Sequence, residues 1–149
     1  MMAENNIDAQ PGPPPSAPSP ALRSLDRLVG TWKVSGPGLD GQVTFEWMEG
    51  GFFLMQHVQL NQGGQKTQGI EIIGHDQESN SLKSHYFAGD GSILEYTWDV
   101  SDDTLTIWFG SAESPAFYRG DFSADGNTNS GAWQWPGGGY ESTMTRVRE

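Results

Sequence analysis

The chain has 149 residues, a length typical of one domain with a substantial hydrophobic core. Its 19 acidic and 8 basic side chains give a formal charge of −11 at pH 7, which disfavours nucleic acid and anionic membrane surfaces as partners. The absence of cysteine excludes disulfides and thiolate chemistry. Neither a secretory signal nor a membrane-spanning segment is recognisable, so a cytoplasmic location is predicted.

Composition changes sharply near residue 20. Six of the nine prolines lie within residues 11–20, whereas all six tryptophans and nineteen of the twenty glycines come after residue 29. Residues 1–19 are too poor in apolar groups to offset the entropy of ordering them. We therefore predict a disordered, proline-rich tail over residues 1–19 and a folded domain over residues 20–149.

A short helix is expected to open the folded domain. Ser19 is a suitable N-cap, Pro20 suits the first helical turn, and Gly30 ends the segment. Apolar side chains recur on one face of this helix: Leu22, Leu25, Leu28 and Val29. Such a stripe must be buried, and covering one end of a barrel would bury it.

After Gly30 the hydrophobic period changes to two, and turn signals recur every eight to twelve residues. Nine such turns delimit about ten strands. Consecutive hairpins close most naturally into an up-and-down antiparallel barrel, because closure removes exposed strand edges. The sequence therefore predicts an all-β barrel of about ten strands with one short N-terminal helix capping an end.

The lengths of the turns predict which side chains face the barrel interior. A two-residue turn at Asp90-Gly91 pairs His85 with Tyr96, and a two-residue turn at residues 102–103 pairs Tyr96 with Phe109. A four-residue loop at residues 77–80 pairs Ile72 with His85. The same arithmetic across the other hairpins gives a mostly apolar interior: Phe45, Trp47, Leu54, Ile70, Ile72, Phe87, Leu94, Trp98, Ile107, Phe109, Tyr118, Trp133, Trp135 and Met144.

A few polar side chains are expected among these apolar ones: Gln56, His85, Tyr96, Tyr140 and Ser142. Apolar walls with sparse polar groups are typical of small-molecule sites, and also of packed cores. A barrel of more than eight strands encloses more room than side chains readily fill, which favours a hollow interior.

The opening of the first strand and the end of the last resemble the lipocalin-like (calycin) barrels. Gly30-Thr31-Trp32 matches the G-x-W of that superfamily, and Arg146 matches the arginine of the last strand. The resemblance implies that Trp32 and Arg146 close one end of the barrel. Over roughly residues 22–148 the chain also resembles a group of small bacterial barrels of uncharacterised function.

Haem-binding barrels of the nitrobindin type share a similar G-x-W opening. Their iron-ligating histidine lies near the C-terminal strand, and residues 139–149 contain no histidine. In a haem protein His85 would have to serve instead. We therefore predict no cofactor and no metal ion, with haem binding kept as an alternative.

The leading hypothesis is a barrel that binds a small hydrophobic or aromatic molecule and acts as a monomer or homodimer. The expected ligand-binding residues are Phe45, Gln56, His85, Tyr96, Phe109, Tyr118 and Trp133, with His85, Tyr96 and Tyr118 orienting the polar end of the ligand. A cofactor-free isomerase or cyclase that uses His85 as acid or base is the alternative. A packed structural protein without a pocket is a further one. No catalytic residue is assigned, and the balance is against an enzyme.

Overall fold

A computed structural model describes residues 13–147 of the chain. The first twelve residues of the predicted tail and the final two residues lie outside the described part. Residues 13–19 form no helix or strand. Among the described residues, no helix is both long enough and apolar enough to cross a bilayer.

Ten antiparallel strands form a closed barrel within the described residues, as predicted. Each strand pairs with the next one in sequence, and β1 pairs with β10 to close the cylinder. The strands are β1 (Gly30–Gly36), β2 (Leu39–Trp47), β3 (Phe53–Gln62), β4 (Gln65–Asp76), β5 (Ser81–Ala88), β6 (Ile93–Ser101), β7 (Thr104–Phe109), β8 (Phe117–Phe122), β9 (Thr128–Trp135) and β10 (Gly138–Arg146).

The predicted N-terminal helix is present as two short pieces. Helix α1 (Pro20–Arg23) has Ser19 as its N-cap, whose hydroxyl accepts from the Ala21 amide at 3.1 Å. A 3₁₀ helix (Ser24–Leu28) follows directly. The leucine face is buried as expected, since Leu22, Leu25 and Leu28 are at most 1 % exposed.

Residues 20–28, the closing segment, are fixed to one end of the barrel. Arg27 donates to the Asp102 carbonyl in the β6–β7 turn at 3.1 Å, and its guanidinium lies 4.0 Å from the centroid of the Phe122 ring. The Trp47 indole donates to Asp26 at 2.8 Å. We call this end of the barrel the closed end. The opposite end carries the β1–β2, β3–β4, β5–β6, β7–β8 and β9–β10 turns.

Most of the predicted registers are confirmed. The pairs Trp47–Leu54, Ile72–His85, Trp98–Ile107 and Tyr118–Trp133 are all observed. In the β9–β10 hairpin the predicted pairing of Trp135 with Tyr140 is shifted by two residues, and Gly138 pairs with Trp135 around Pro136-Gly137. A shift of two residues leaves the same side chains on the same face, because the side-chain period in a strand is two.

The predicted register of the β5–β6 hairpin is wrong by one residue. The loop contains three residues, Gly89 to Gly91: the Gly91 amide donates to Ala88 O, and the Ala88 amide donates to Ser92 O, both at 3.0 Å. Gly91 adopts φ +94°, which is suited to the left-handed position of a three-residue hairpin loop. His85 therefore pairs with Glu95 instead of Tyr96.

Because of this one-residue difference, the face of β4 and β5 that was predicted to point inward points outward. Ile70, His85 and Phe87 point outward, and the exposed fractions of Ile70 and Phe87 are 39 % and 44 %. Ile72 lies on the same outer face, since it pairs with His85. The inner face of these strands instead presents Glu71, Ile73, Leu82, Ser84 and Tyr86, all of them buried.

Candidate ligand-binding site

The barrel interior contains a cavity of about 530 Å³. Eight of its 21 lining residues are aromatic, and most of the others are aliphatic. The residues contributing to its walls include Val34, Val43, Gln56, Val58, Leu60, Glu71, Tyr86, Leu94, Tyr96, Trp98, Ile107, Phe109, Tyr118, Trp133, Trp135, Tyr140, Ser142 and Met144. This volume lies in the range of small-molecule sites, about 300–1,000 Å³.

The mouth of the cavity lies at the end opposite the closing segment. Phe109 ends β7 and Trp135 ends β9, and both line the cavity. They remain 46 % and 44 % exposed, although they are large apolar side chains. Exposed aromatic rings at the rim of an apolar cavity give a hydrophobic ligand a surface on which to enter.

Glu71 of β4 is a buried carboxyl group in the cavity wall. Its Oε2 accepts from the Ser84 hydroxyl at 2.5 Å and from the Trp98 indole at 3.2 Å. The indole also donates to the Ser84 hydroxyl at 2.9 Å. Burial raises the pKa of Glu71 from 4.5 to about 7, and the bonds from Ser84 and Trp98 limit that rise.

Tyr86 lies beside Glu71, because the two residues pair directly across β4 and β5. Its hydroxyl is buried and is the one such side-chain atom among the described residues that has no hydrogen-bond partner. The ring crosses Gly69, where a Cβ would lie 2.7 Å from the Tyr86 Cζ and hydroxyl oxygen. A buried unpaired hydroxyl costs free energy, so a partner supplied by a ligand would recover it.

Four polar side chains form a row across neighbouring strands of the cavity wall. Gln56 pairs with Glu71, and Glu71 pairs with Tyr86, so the row runs from β3 to β5. Tyr96 of β6 continues it diagonally, since it pairs with Ser84. We call Gln56, Glu71, Tyr86 and Tyr96 the polar row.

Tyr118 of β8 is hydrogen-bonded within the protein itself. The Tyr118 hydroxyl donates to Asn129 Oδ1 at 2.6 Å, and the Asn129 amide donates to the Gly120 carbonyl at 3.3 Å. Asn129 is 0 % exposed. Burial raises the pKa of Tyr118, so this phenol stays neutral. The Tyr118 ring contributes to the wall, but its hydroxyl is already paired.

Five of the seven residues predicted to bind a ligand line this cavity: Gln56, Tyr96, Phe109, Tyr118 and Trp133. Phe45 does not line the cavity; it is 2 % exposed, and its ring meets Trp98 edge-on at 6.4 Å. Tyr96 stacks edge-on with Phe109 at 5.3 Å and with Trp133 at 6.1 Å. Burial raises the pKa of Tyr96.

The predicted inward position of His85 is wrong. Its side chain is 53 % exposed on the outer wall, where Nε2 lies 3.7 Å from Glu95 Oε2 and the ring stacks on Phe87 at 6.2 Å. The cause is the three-residue β5–β6 loop, which turns the His85 face of β5 away from the interior. His85 therefore cannot orient a ligand inside the barrel or act there as acid or base.

The sequence prediction missed Glu71, Ser84 and Tyr86. The signal that could have located them is Gly-Asp-Gly at residues 89–91, which suits a three-residue hairpin loop as well as a two-residue turn. The longer loop turns the alternate β5 side chains, Ser84 and Tyr86, toward the interior. Glu71 pairs with Tyr86 across β4 and β5 and therefore faces inward as well.

Trp32 and Arg146 lie together at the closed end. The Trp32 indole donates to the Leu28 carbonyl at 2.8 Å. Arg146 donates to the carbonyls of Val29 and Arg27 at 2.6 and 2.8 Å, which ties the end of β10 to the closing segment. Both side chains are thus structural and lie away from the cavity mouth.

No protein-family model matches the chain, and no curated protein gives a significant match. The fold is established by the strand order and the closed pairing of β1 with β10.

Proposed function

We propose that the protein is a lipocalin-like barrel that binds a small hydrophobic or aromatic molecule in its interior. The observation that carries the proposal is the cavity of about 530 Å³, whose walls are mostly aromatic and aliphatic. The polar row supplies the few groups that would orient a ligand. The Gly30-Thr31-Trp32 opening and the stacking of Arg146 on Trp32 support the lipocalin-like assignment.

Fluorescence titration with N-phenyl-1-naphthylamine, a neutral aromatic probe, tests this proposal. We expect saturable enhancement with one site per chain, because the probe is small enough for the cavity and its emission rises in an apolar environment. Native and denatured masses of freshly purified protein would reveal a retained ligand. A cavity-filling variant, Val58→Trp, adds a large ring to the cavity wall and should reduce binding of the probe. Absence of saturable binding, together with equal masses, would contradict the proposal.

Haem binding is not supported by the residues present. All three histidines lie in the described part of the chain and contact polar partners outside the cavity: His57 with Glu46, His75 with Asn80 and His85 with Glu95. A histidine-ligated haem therefore has no suitable axial ligand in the barrel interior.

Acid–base catalysis is a second candidate function, supported by one observation. Glu71 borders the cavity, and its pKa of about 7 lets it exchange a proton near neutral pH. The test is exchange of the α-protons of 2-tetralone in D₂O, followed by NMR. Faster exchange with the wild type than with the Glu71→Gln variant would support catalysis, and equal rates would contradict it.

A further inference from the structure

Among the described residues, the cavity lining contains an acidic side chain and no basic one. Of the 21 lining residues in the described part of the chain, Glu71 is the single acidic one, and none is Lys, Arg or His. An anionic ligand would therefore enter a site with a carboxyl group and no counter-charge. The formal charge of −11 on the whole chain also repels anions and attracts cations.

The surroundings of Glu71 are rich in aromatic rings. Trp98 contacts its carboxyl group, Tyr86 is its direct neighbour on β5, and Tyr96 follows on β6. Trp133 extends this aromatic wall through its edge-on contact with Tyr96 at 6.1 Å. The faces of such rings attract organic cations, most strongly where water is excluded.

One oxygen of Glu71 remains available. Ser84 and Trp98 both donate to Oε2, whereas among the described residues Oε1 accepts no hydrogen bond and, unlike the Tyr86 hydroxyl, is not fully buried. The two donors also hold the carboxyl group in one orientation. A cation in the cavity would therefore find a fixed oxygen beside aromatic faces.

We propose that the ligand is a hydrophobic organic cation, an amine or a quaternary ammonium compound, whose positive charge lies against Glu71 between the aromatic walls. This inference rests on the proposed function, because it names the class of molecule that the cavity takes. A buried cation needs a charged partner, and ionised Glu71 supplies it.

Glu71 is the group that couples this binding to pH. The side chains around it are Gln56 from β3, Ser84 and Tyr86 from β5, and Tyr96 and Trp98 from β6. Of these only the tyrosines titrate, and burial raises the pKa of both phenols, so they are neutral at pH 6–8. Asp90, whose charge acts on Tyr86, lies in the exposed β5–β6 turn.

Three naphthalene probes of similar shape test the proposal by competition with N-phenyl-1-naphthylamine at pH 8. They are (1-naphthylmethyl)trimethylammonium, its uncharged isostere 1-neopentylnaphthalene, and 1-naphthylacetate. The cation should bind at least about tenfold more tightly than the isostere, and the acetate should bind most weakly. In the Glu71→Gln variant the preference for the cation should disappear. The control Glu95→Gln removes the same charge from the outer wall and should leave the preference unchanged.

The outcomes separate this inference from the proposed function. If the wild type does not bind N-phenyl-1-naphthylamine, the proposed function itself fails. If it binds this probe but takes the isostere as tightly as the cation, only the inference about cations is overturned.

A second measurement on the wild type covers the case in which the Glu71→Gln variant does not fold. Lowering the pH from 8 to 6 should weaken binding of the cation by up to about tenfold, since Glu71 becomes protonated, and should leave binding of the isostere unchanged. An equal response of both probes to pH would overturn the inference.

Discussion

The guanidinium carbon of Arg146 lies 4.2 Å from the centroid of the Trp32 ring and joins the last strand to the first at the closed end of the barrel. The same guanidinium donates to two carbonyls of residues 27–29 and to Asn127 Oδ1 at 3.0 Å. It therefore links β1, β10, the β8–β9 turn and the closing segment at one point.

Replacing Arg146 with Lys should destabilise the protein by about 2–3 kcal/mol, because one ammonium group cannot stack on Trp32 and also reach acceptors on several sides. Urea unfolding measures the loss. The control is Arg23→Lys: Arg23 lies 4.7 Å from the Trp47 ring but is half exposed, so its loss should stay below about 1 kcal/mol. Equal losses in the two variants would contradict this account of the closed end.

Stability should fall as the pH rises from about 4.5 to about 7, because Glu71 loses its proton at a higher pH in the folded protein than in the unfolded chain. The fall amounts to roughly 3 kcal/mol for a shift of this size. The pKa values of Asp76 and Asp90 are lowered from 3.8, so these two groups change the free energy of unfolding only at a lower pH. Urea unfolding across this pH range should show the slope in the wild type and lose it in Glu71→Gln. If the Glu71→Gln variant kept the pH dependence of the free energy of unfolding, other groups would be its cause.

Two tyrosine variants should have opposite effects on stability. Tyr86→Phe removes a buried hydroxyl that has no partner, so it should stabilise the empty barrel by up to about 1 kcal/mol. Tyr118→Phe leaves the buried Asn129 oxygen without its donor and should cost about 1–3 kcal/mol. Thermal melting compares them under identical conditions. A loss of stability in Tyr86→Phe would mean that its hydroxyl is hydrogen-bonded in the empty protein.

Replacing His85 with Ala should leave binding of N-phenyl-1-naphthylamine unchanged and stability within about 1 kcal/mol of the wild type. The reason is its outer-wall position, where more than half of its side chain is exposed. The paired variant Gln56→Leu changes the polar row inside and should alter binding of the (1-naphthylmethyl)trimethylammonium probe. If His85→Ala changed the affinity for the (1-naphthylmethyl)trimethylammonium probe as much as Gln56→Leu does, the outward position of His85 would be contradicted.

The barrel itself was predictable because most of its turns specify one loop length. The Gly50-Gly51 and Asp102-Asp103 turns gave the registers that are observed, and the two-residue difference at Pro136-Gly137 did not change any face. The predicted core positions Phe45, Leu54 and Trp98 are accordingly buried.

The candidate site was predicted only in part, because β4 and β5 do not follow the usual division of apolar and polar faces. Their outer face carries Ile70 and Phe87, whereas their inner face carries Glu71 and Tyr86. Hydrophobic pattern alone therefore selects the wrong face. Sites that depart from the local pattern in this way are expected where function requires buried polar groups.

The two ends of the barrel differ in the contacts that hold them together. The contacts of Arg27, Trp32 and Arg146 lie at the closed end, whereas the cavity mouth is bordered by hairpin turns that join strands already paired on both sides. Lengthening or randomising the turns at residues 63–64 or 136–137 should therefore leave the scaffold folded. Under the proposed binding function, ligand preference could then be evolved in the laboratory from loop libraries at one end, without rebuilding the framework that supports them.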